Sequence, residues 1–480
     1  MNSSGIGKLL TSIYKLVVRH FVFITTMLIT AATVFGAASF RAHEILQPVH
    51  IFLATFLPAS TVIIYFLSQQ PKVYLVDYAC FSGSHHCRRA PTATFIEHAR
   101  HIPMYNERSI RFFTRLLQQS GLGEETYLPQ SIAYIQPFKY CTFEAGREEA
   151  KLVVFSTIDS LFSKRSITPQ AIDILVVNCS VFNPTPSFPD MIINKYKMRN
   201  NIHSVHLSGM GCSAGLVSIE LARNLLQVAA PGTRALVVST EILTPNYYPG
   251  NERAMLLPYC LFRMGGAAML LSTSPANARF RLRSIVRTLT AADNSSYRCI
   301  HQEEDDKGNR GMNLSIDLLL VASTTLKANI VAIAPLVLPV SEQLYFALSF
   351  IRKKMTNQKY KLYVPDFKTA FEHFCIHAGG RAVIDGVQRS LGLSDVHVEP
   401  SRMTLHRFGN TSSSSPWYEL AYIEAKGRMN MGDRVWMIGF GSGFKCNSVV
   451  LECIAPTHNT DGPWAGCIQR YPVEVKSFEK

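Results

Sequence analysis

The amino-acid sequence predicts an α/β fold in two similar halves, set behind a pair of membrane-spanning segments. Three observations predict it. Short β-branched runs alternate with amphipathic ones after residue 72, the same rhythm restarts in the second half, and two uncharged apolar stretches occupy the N-terminus.

The apolar stretches come first. Residues 21–40 (FVFITTMLITAATVFGAASF) carry no charge, and 20 residues rising 1.5 Å each are enough to cross a hydrocarbon core of about 30 Å. A second uncharged run covers residues 49–68, with Pro58 expected to kink it. A cleaved signal peptide would have a shorter apolar core and no second span behind it. Lys8, Lys15 and Arg19 precede the first run, only Arg41 and Glu44 lie between the runs, and Lys72, Arg88 and Arg89 follow the second. The positive-inside rule therefore expects both ends of this hairpin, and the bulk of the chain, to face the cytosol. Residues 1–71 form the expected anchor.

After the polar break QQPK no later segment reads as apolar enough to span. ILVVNCS (174–180), ALVVST (235–240) and AAMLLS (267–272) read as buried strands. GREEAKLVVFSTIDSLFSKR (146–165) and CSAGLVSIELARNLLQV (212–228) read as helices. In the second half FCIHA (374–378) is an expected strand, and RAVIDGVQRSLG (381–392) and SSPWYELAYIEAKGR (414–428) are expected helices. RVWMIGFGSG (434–443) and FKCNSVVLECI (444–454) are an expected closing β pair. The acidic stretch HQEEDDKGNRG (301–311) reads as a solvated loop, and the halves are set at 72–290 and 291–480.

Charge and cysteine usage narrow the function classes. Lys and Arg number 48 against 34 Asp and Glu, so the net charge is 48 − 34 = +14. That favours anionic small molecules and lipid headgroups. Nucleic acid is excluded by the lack of zinc-finger spacing, RNP-like aromatics or a block of five like charges. The 11 cysteines are odd in number and never paired as C-x-x-C, which speaks for reduced thiols rather than a disulfide framework or zinc ribbon.

Chemistry concentrates at SGMGCSAG (208–215). HSVHL leads into Cys212 and a mostly apolar helix starts there, so the sulfur is expected at a helix N-terminus. There the dipole and free N–H groups would lower the thiol pKa. Gly209 and Gly211 permit a strained turn beside a substrate carbonyl, the layout of an acyl-transfer nucleophile. His373 and His377 flank the β-like FCIHA. A metal would need them on a helix with a third ligand, so no metal site is assigned. Asn410, in HRFGNTSSSSP, stands at a turn before a helix, where asparagine commonly caps. GFGSGF (439–444) lacks the spacing and helix of a dinucleotide fingerprint. Its backbone at Gly441 and Gly443 suits the lining of an acyl site instead.

GMGCSAG, NCSVFNPTPS, YKMRNNI, NERAMLLPYCLFRMGGAA, IHAGGRAVID and HRFGNTSSSS together resemble the plant very-long-chain 3-ketoacyl-CoA synthases, the condensing enzymes of fatty acid elongation, over residues 73–455. The resemblance implies a thiolase-like fold, two related five-stranded α/β halves in five layers, usually dimeric. It implies a Cys212–His377–Asn410 triad, and matches His373 and His406 to family histidines of less certain role. It implies that long-chain acyl-CoA acylates Cys212, and that malonyl-CoA then loses CO₂ to an enolate held by His377 and Asn410. It implies no cofactor, since the CoA thioesters are substrates, and a place in the endoplasmic reticulum membrane beside the elongase reductases and dehydratase. One departure stands out: Leu289, in RTLT, occupies the place of a family histidine. A membrane-anchored type III polyketide synthase-like enzyme and a catalytically weak paralogue that modulates an elongase are the alternatives. Soluble polyketide synthases lack such a membrane hairpin, and the complete triad speaks against the second.

Overall fold

A computed structural model describes residues 71–475, apart from 84–86, 135–136, 356–362, 364 and 458–460. The two apolar runs at 21–40 and 49–68, and the anchor built on them, lie outside the described residues.

Val73–Lys480 form one compact unit. Its first strand set comprises β1 (Tyr74–Cys80), β2 (Ile174–Asn178), β3 (His203–Leu207), β4 (Arg234–Thr240) and β5 (Gly266–Ser272). Helices α1 (Phe143–Arg165), α2 (Phe188–Tyr196) and α3 (Ala214–Val228) lie between these strands in sequence. β6 (Phe280–Leu289) opens the second set, and the hairpin β7 (Ile300–Glu304)–β8 (Arg310–Leu314) follows it. Then come α4 (Leu318–Val337), α5 (Val340–Met355), β9 (His373–Ile376), α6 (Arg381–Leu391), α7 (Asp395–Phe408), α8 (Ser415–Ala425), β10 (Arg434–Gly441) and β11 (Lys445–Cys453).

The strands order as β9-β10-β11-β6-β1-β5-β4-β2-β3. Reading inward to the seam between β6 and β1, each half repeats one pattern. β2 is parallel to β4, β4 antiparallel to β5 and β5 antiparallel to β1. In the second half β9 is parallel to β10, β10 antiparallel to β11 and β11 antiparallel to β6. The halves meet where Tyr74 faces Arg281 and Leu75 faces Phe280. β6 thus pairs with the second set, although the sequence boundary at 290 assigns it to the first. The duplication is incomplete: where β3 precedes the nucleophile turn, the second half carries α7 instead.

Alternation of side chains builds the layers. Ile174 and Val176 of β2 and Val435 and Met437 of β10 join the core around α3 and α8. Leu175 and Val177 face α1 and α2, while Trp436 and Ile438 face α4, α6 and α7. The arrangement is helix, strand, helix, strand, helix. α8 is buried without a break from Ser415 to Glu424, which is why it shows no amphipathic period. β5 is rich in Gly and Ala because α1 lies close: a Cβ on Gly266 would come within 2.5 Å of Val153.

Two local expectations change. Residues 301–311 are not a loop but the hairpin β7–β8, whose exposed Glu303 and Glu304 hid the strand pattern. α4 is long and apolar enough to cross a membrane by composition, which the sequence reading denied to any segment after residue 72. Its Asn329 fastens it to the sheet instead, donating to Thr288 Oγ1 at 3.0 Å and Cys446 O at 2.9 Å.

Candidate active site

The two halves bring equivalent turns together under the central helices. β3 runs into a 3₁₀ turn, Gly211–Ser213, from which α3 continues. Gly209 (φ 66°) and Gly211 (φ 69°) take left-handed conformations that the turn requires. In the second half α7 runs through Gly409 and Asn410 into the 3₁₀ turn Ser412–Ser414, from which α8 continues. Ser412 is itself left-handed (φ 54°) without being glycine, a strained position that its surroundings must hold. His377 follows directly on β9.

Cys212 is half-buried on the first turn. Ser412 lies beside its sulfur and favours the thiolate. The Ser412 N–H donates to Asn410 Oδ1 at 2.9 Å, and Asn410 Nδ2 donates to Gly379 O at 3.1 Å. Gly379 in turn lies over the His377 ring: a Cβ there would be 2.9 Å from Nε2. Cys212, Asn410 and His377 are thus joined through Ser412 and Gly379. His377 Nδ1 pairs with Ser415 Oγ at 2.8 Å.

The glycine loop after β10 backs onto the nucleophile turn. A Cβ on Gly441 would lie 2.4 Å from Ser213 Oγ, 2.8 Å from Ser213 N and 2.9 Å from Met210 O, and one on Gly211 would lie 2.5 Å from Ser442 N. These approaches need glycine on both sides. Gly443 lies farther out, near Lys445 and Leu289.

The electrostatics differ from the sequence expectation. Burial pushes the Cys212 thiol up to about 12, the nearby Glu241 carboxyl adds to the rise, and the Ser412 hydrogen bond only partly offsets it. The resting sulfur is a thiol; the helix start does not make it a thiolate. Burial pulls His377 down to about 4, so its imidazole is neutral at pH 7.

Sequence reading missed Glu241 and Ser412. Glu241, after β4, is a buried carboxyl whose pKa burial raises. It accepts from Ser180 N at 3.1 Å, Val181 N at 3.0 Å, Cys179 Sγ at 3.3 Å and Ser412 Oγ at 3.4 Å. The one visible signal was an acid closing the apolar strand ALVVST.

His373 and His406 are not brought to this site. His373 sits at the opposite end of β9 from His377, with Nε2 3.0 Å from Asp433 Oδ2. His406 packs on Gly123, with Nδ1 3.2 Å from the Tyr471 hydroxyl. Leu289 closes β6 beside Gly443, with its side chain 59% exposed. Among the described residues no cluster of His, Cys, Asp or Glu could hold a metal ion.

This geometry has relatives. Residues 65–355 match the family described as FAE1/Type III polyketide synthase-like protein, and 368–453 match the 3-Oxoacyl-[acyl-carrier-protein (ACP)] synthase III C terminal family. Over 435 residues the chain is 57% identical to 3-ketoacyl-CoA synthase 5 of Arabidopsis thaliana, covering 90% of this chain and 88% of that one. The chain belongs to the plant 3-ketoacyl-CoA synthase family. 3-Ketoacyl-CoA synthase 6 of the same plant is 53% identical over 479 residues, covering 97% and 96% of the two chains. Among solved structures, PKS-I of the brown alga Ectocarpus siliculosus superposes with a TM-score of 0.61 at 17% identity, covering 81% of this chain and 100% of its own. Tetrahydroxynaphthalene synthase of Streptomyces coelicolor gives 0.61 at 19%, covering 80% and 99%. These two share the thiolase-like fold. Family membership makes the chain a condensing acyltransferase.

Proposed function

We propose that the chain condenses a long-chain acyl-CoA with malonyl-CoA to give 3-oxoacyl-CoA, CO₂ and CoA, the first step of very-long-chain fatty acid elongation. The observation that carries the reading is the link from Cys212 through Ser412 and Asn410 to Gly379 and His377. It joins one nucleophile to two polar side chains at the seam of the halves.

Cys212 attacks the acyl-CoA carbonyl. Because the resting sulfur holds its proton, the thiol must lose it as the C–S bond forms, and the CoA sulfur leaves with a proton. The neutral imidazole of His377 is the base, and the bare backbone of the glycine loop at Gly441 and Ser442 faces the acyl group. Malonyl-CoA then loses CO₂. The enolate oxygen is held by an Asn410 amide N–H and by His377, the enolate carbon attacks the acyl thioester, and the Cys212 sulfur leaves as a thiolate that takes a proton from solvent to return to the resting thiol. Two half-reactions ask opposite things of one ring, an acceptor for the thiol proton and then a donor to the enolate. Ser415 can serve both: its hydroxyl lies 3.1 Å from Ser412 O and 2.8 Å from His377 Nδ1. When its proton goes to Ser412 O, Nδ1–H donates to Ser415 and Nε2 carries the lone pair. When it turns to Nδ1, Nε2 carries the proton.

No cofactor enters this scheme. The N-terminal runs anchor the enzyme in the endoplasmic reticulum membrane with both termini cytosolic, where long acyl chains partition. It acts as a homodimer beside the reductases and dehydratase of the elongase.

The test separates the half-reactions. Cys212→Ala should form no acyl-enzyme from radiolabelled acyl-CoA. Asn410→Asp should still acylate yet lose malonyl-CoA decarboxylation well over tenfold, about 1.4 kcal/mol or more. An acyl group trapped on the Cys212→Ala protein would end the nucleophile assignment.

A further inference from the structure

Among the described residues, 20 large apolar side chains are exposed, and 11 of them fall between Ile316 and Tyr363. The densest set is on α5. Val340, Leu344, Leu348, Ile351 and Met355 are 52–79% exposed, and at 100° per residue they fall within about 80° of the helix circumference. Tyr345 borders this stripe, its ring centroid 6.0 Å from that of Tyr363, and Leu336 is exposed just before it in sequence.

The helix is turned the wrong way round for water. Three of its polar side chains, Glu342, Gln343 and Ser349, are bonded to the protein. Glu342 accepts from the Tyr363 hydroxyl at 2.9 Å and Asp366 N at 3.0 Å, Gln343 donates to Leu338 O at 2.9 Å, and Ser349 Oγ accepts from Tyr363 N at 2.7 Å. These bonds hold α5 with its apolar stripe outward. A soluble domain does not ordinarily leave such a surface uncovered.

We propose that the outward face of α5 is a docking surface for a lipid bilayer carrying anionic headgroups, on which the helix lies in the membrane interface rather than spanning it. At 16 residues α5 is about 24 Å long, too short to span. The sequence of its last turn includes Arg-Lys-Lys at 352–354, and the helix contains one acid, Glu342. Aliphatic stripe, bordering tyrosine and terminal cations together are the composition of an interfacial helix. Anionic headgroups complement a chain of net charge +14, which a second copy of the same charge does not. The inference rests on the proposed N-terminal anchor, whose second apolar run ends five residues before the compact unit begins at Val73. It adds a second contact that would fix how the folded unit faces the bilayer.

The test is quenching of an introduced tryptophan by brominated lipid. The three native tryptophans, Trp417, Trp436 and Trp464, are fully buried and give a common background. The full chain is reconstituted into phosphatidylcholine–phosphatidylserine vesicles, with brominated or ordinary phosphatidylcholine. Leu348→Trp should lose at least twofold more of its added emission in brominated vesicles than Met431→Trp, an exposed site outside the α5 stripe. Val340→Trp repeats the measurement at the other end of the stripe should the first variant fold poorly. Equal quenching of Leu348→Trp and Met431→Trp in a chain that floats with the vesicles overturns this inference and leaves the anchor standing. Emission that shifts with protein-to-lipid ratio but ignores bromine overturns it in favour of contact between copies. A chain that does not float at all overturns both.

Discussion

Gly441→Ala should slow the enzyme while leaving it folded, and the size of the effect can be worked from the contacts. Gly441 does not adopt a left-handed φ, so alanine meets no backbone penalty and the change tests space alone. The added Cβ would sit 2.4 Å from Ser213 Oγ, 2.8 Å from Ser213 N and 2.9 Å from Met210 O. The hydroxyl can rotate away; the two backbone atoms cannot. Restoring ordinary contact needs the nucleophile turn to retreat by roughly 0.5 Å, and overpacking of this kind costs about 1–3 kcal/mol of stability. Cys212 shares that turn. Since a displacement of about 1 Å at a reacting group can cost about 100-fold, a 10- to 100-fold fall in kcat is expected, about 1.4–2.7 kcal/mol. The assay is condensation of radiolabelled malonyl-CoA with a long-chain acyl-CoA by reconstituted full-length protein, with a thermal melt alongside. Gly386→Ala, in α6 with no heavy atom within 4 Å of its added Cβ, is the control. Wild-type kcat in a folded Gly441→Ala protein would refute the view that the glycine loop braces the nucleophile turn.

Three further outcomes are expected. His377 is held down to about 4 by burial, so the unfolded chain binds its proton first as pH falls. Stability from this group is complete above about pH 6.5 and is lost towards pH 4, about 3 kcal/mol in all; a His377→Gln variant should show a shallower acid dependence of Tm. Arg279→Met should destabilise by about 3–5 kcal/mol, because Arg279 is buried between Asp77 and Glu424 and its loss leaves two buried carboxylates without their shared partner; Tm of the purified variant reads it. Leu289→His should leave both turnover and product chain length unchanged, since the side chain is exposed at the end of β6 rather than turned into the site; gas chromatography of fatty acids from yeast expressing each form decides it.

Legibility followed burial. β2, β4 and β5 were readable because every residue in them but Arg234 is buried, which writes a nearly unbroken apolar run. β7 was not, because its exposed acids look like a loop. The turns bearing Cys212 and Asn410 were legible from glycines and small residues at fixed spacing. What links them was not: Ser412 is one of four serines in a row, and nothing local distinguishes the one held at positive φ against the sulfur. The electrostatics at Cys212 failed for a related reason. A helix start is a local feature that lowers a thiol pKa, whereas the burial and the Glu241 carboxyl that raise it are tertiary. His373 and His406 were matched by motif alone, and the strand length separating His373 from His377 already argued that both rings could not serve one site.

The duplicated plan explains why the site lies where it does. In each half a left-handed turn delivers the chain into a central helix, and the two central helices share one core. The turns therefore face each other, and neither half owns a complete site. The first contributes the sulfur and the Glu241 carboxyl; the second contributes Asn410, Ser412 and His377. The closest equivalent of His377 in the first half is Cys179, which likewise follows the last residue of its strand but is spent on Glu241 at 3.3 Å. One topological position thus does two jobs. In the second half it carries a ring beside the reacting atoms, and in the first it helps hold the carboxyl that, through Ser412, reaches back to the nucleophile.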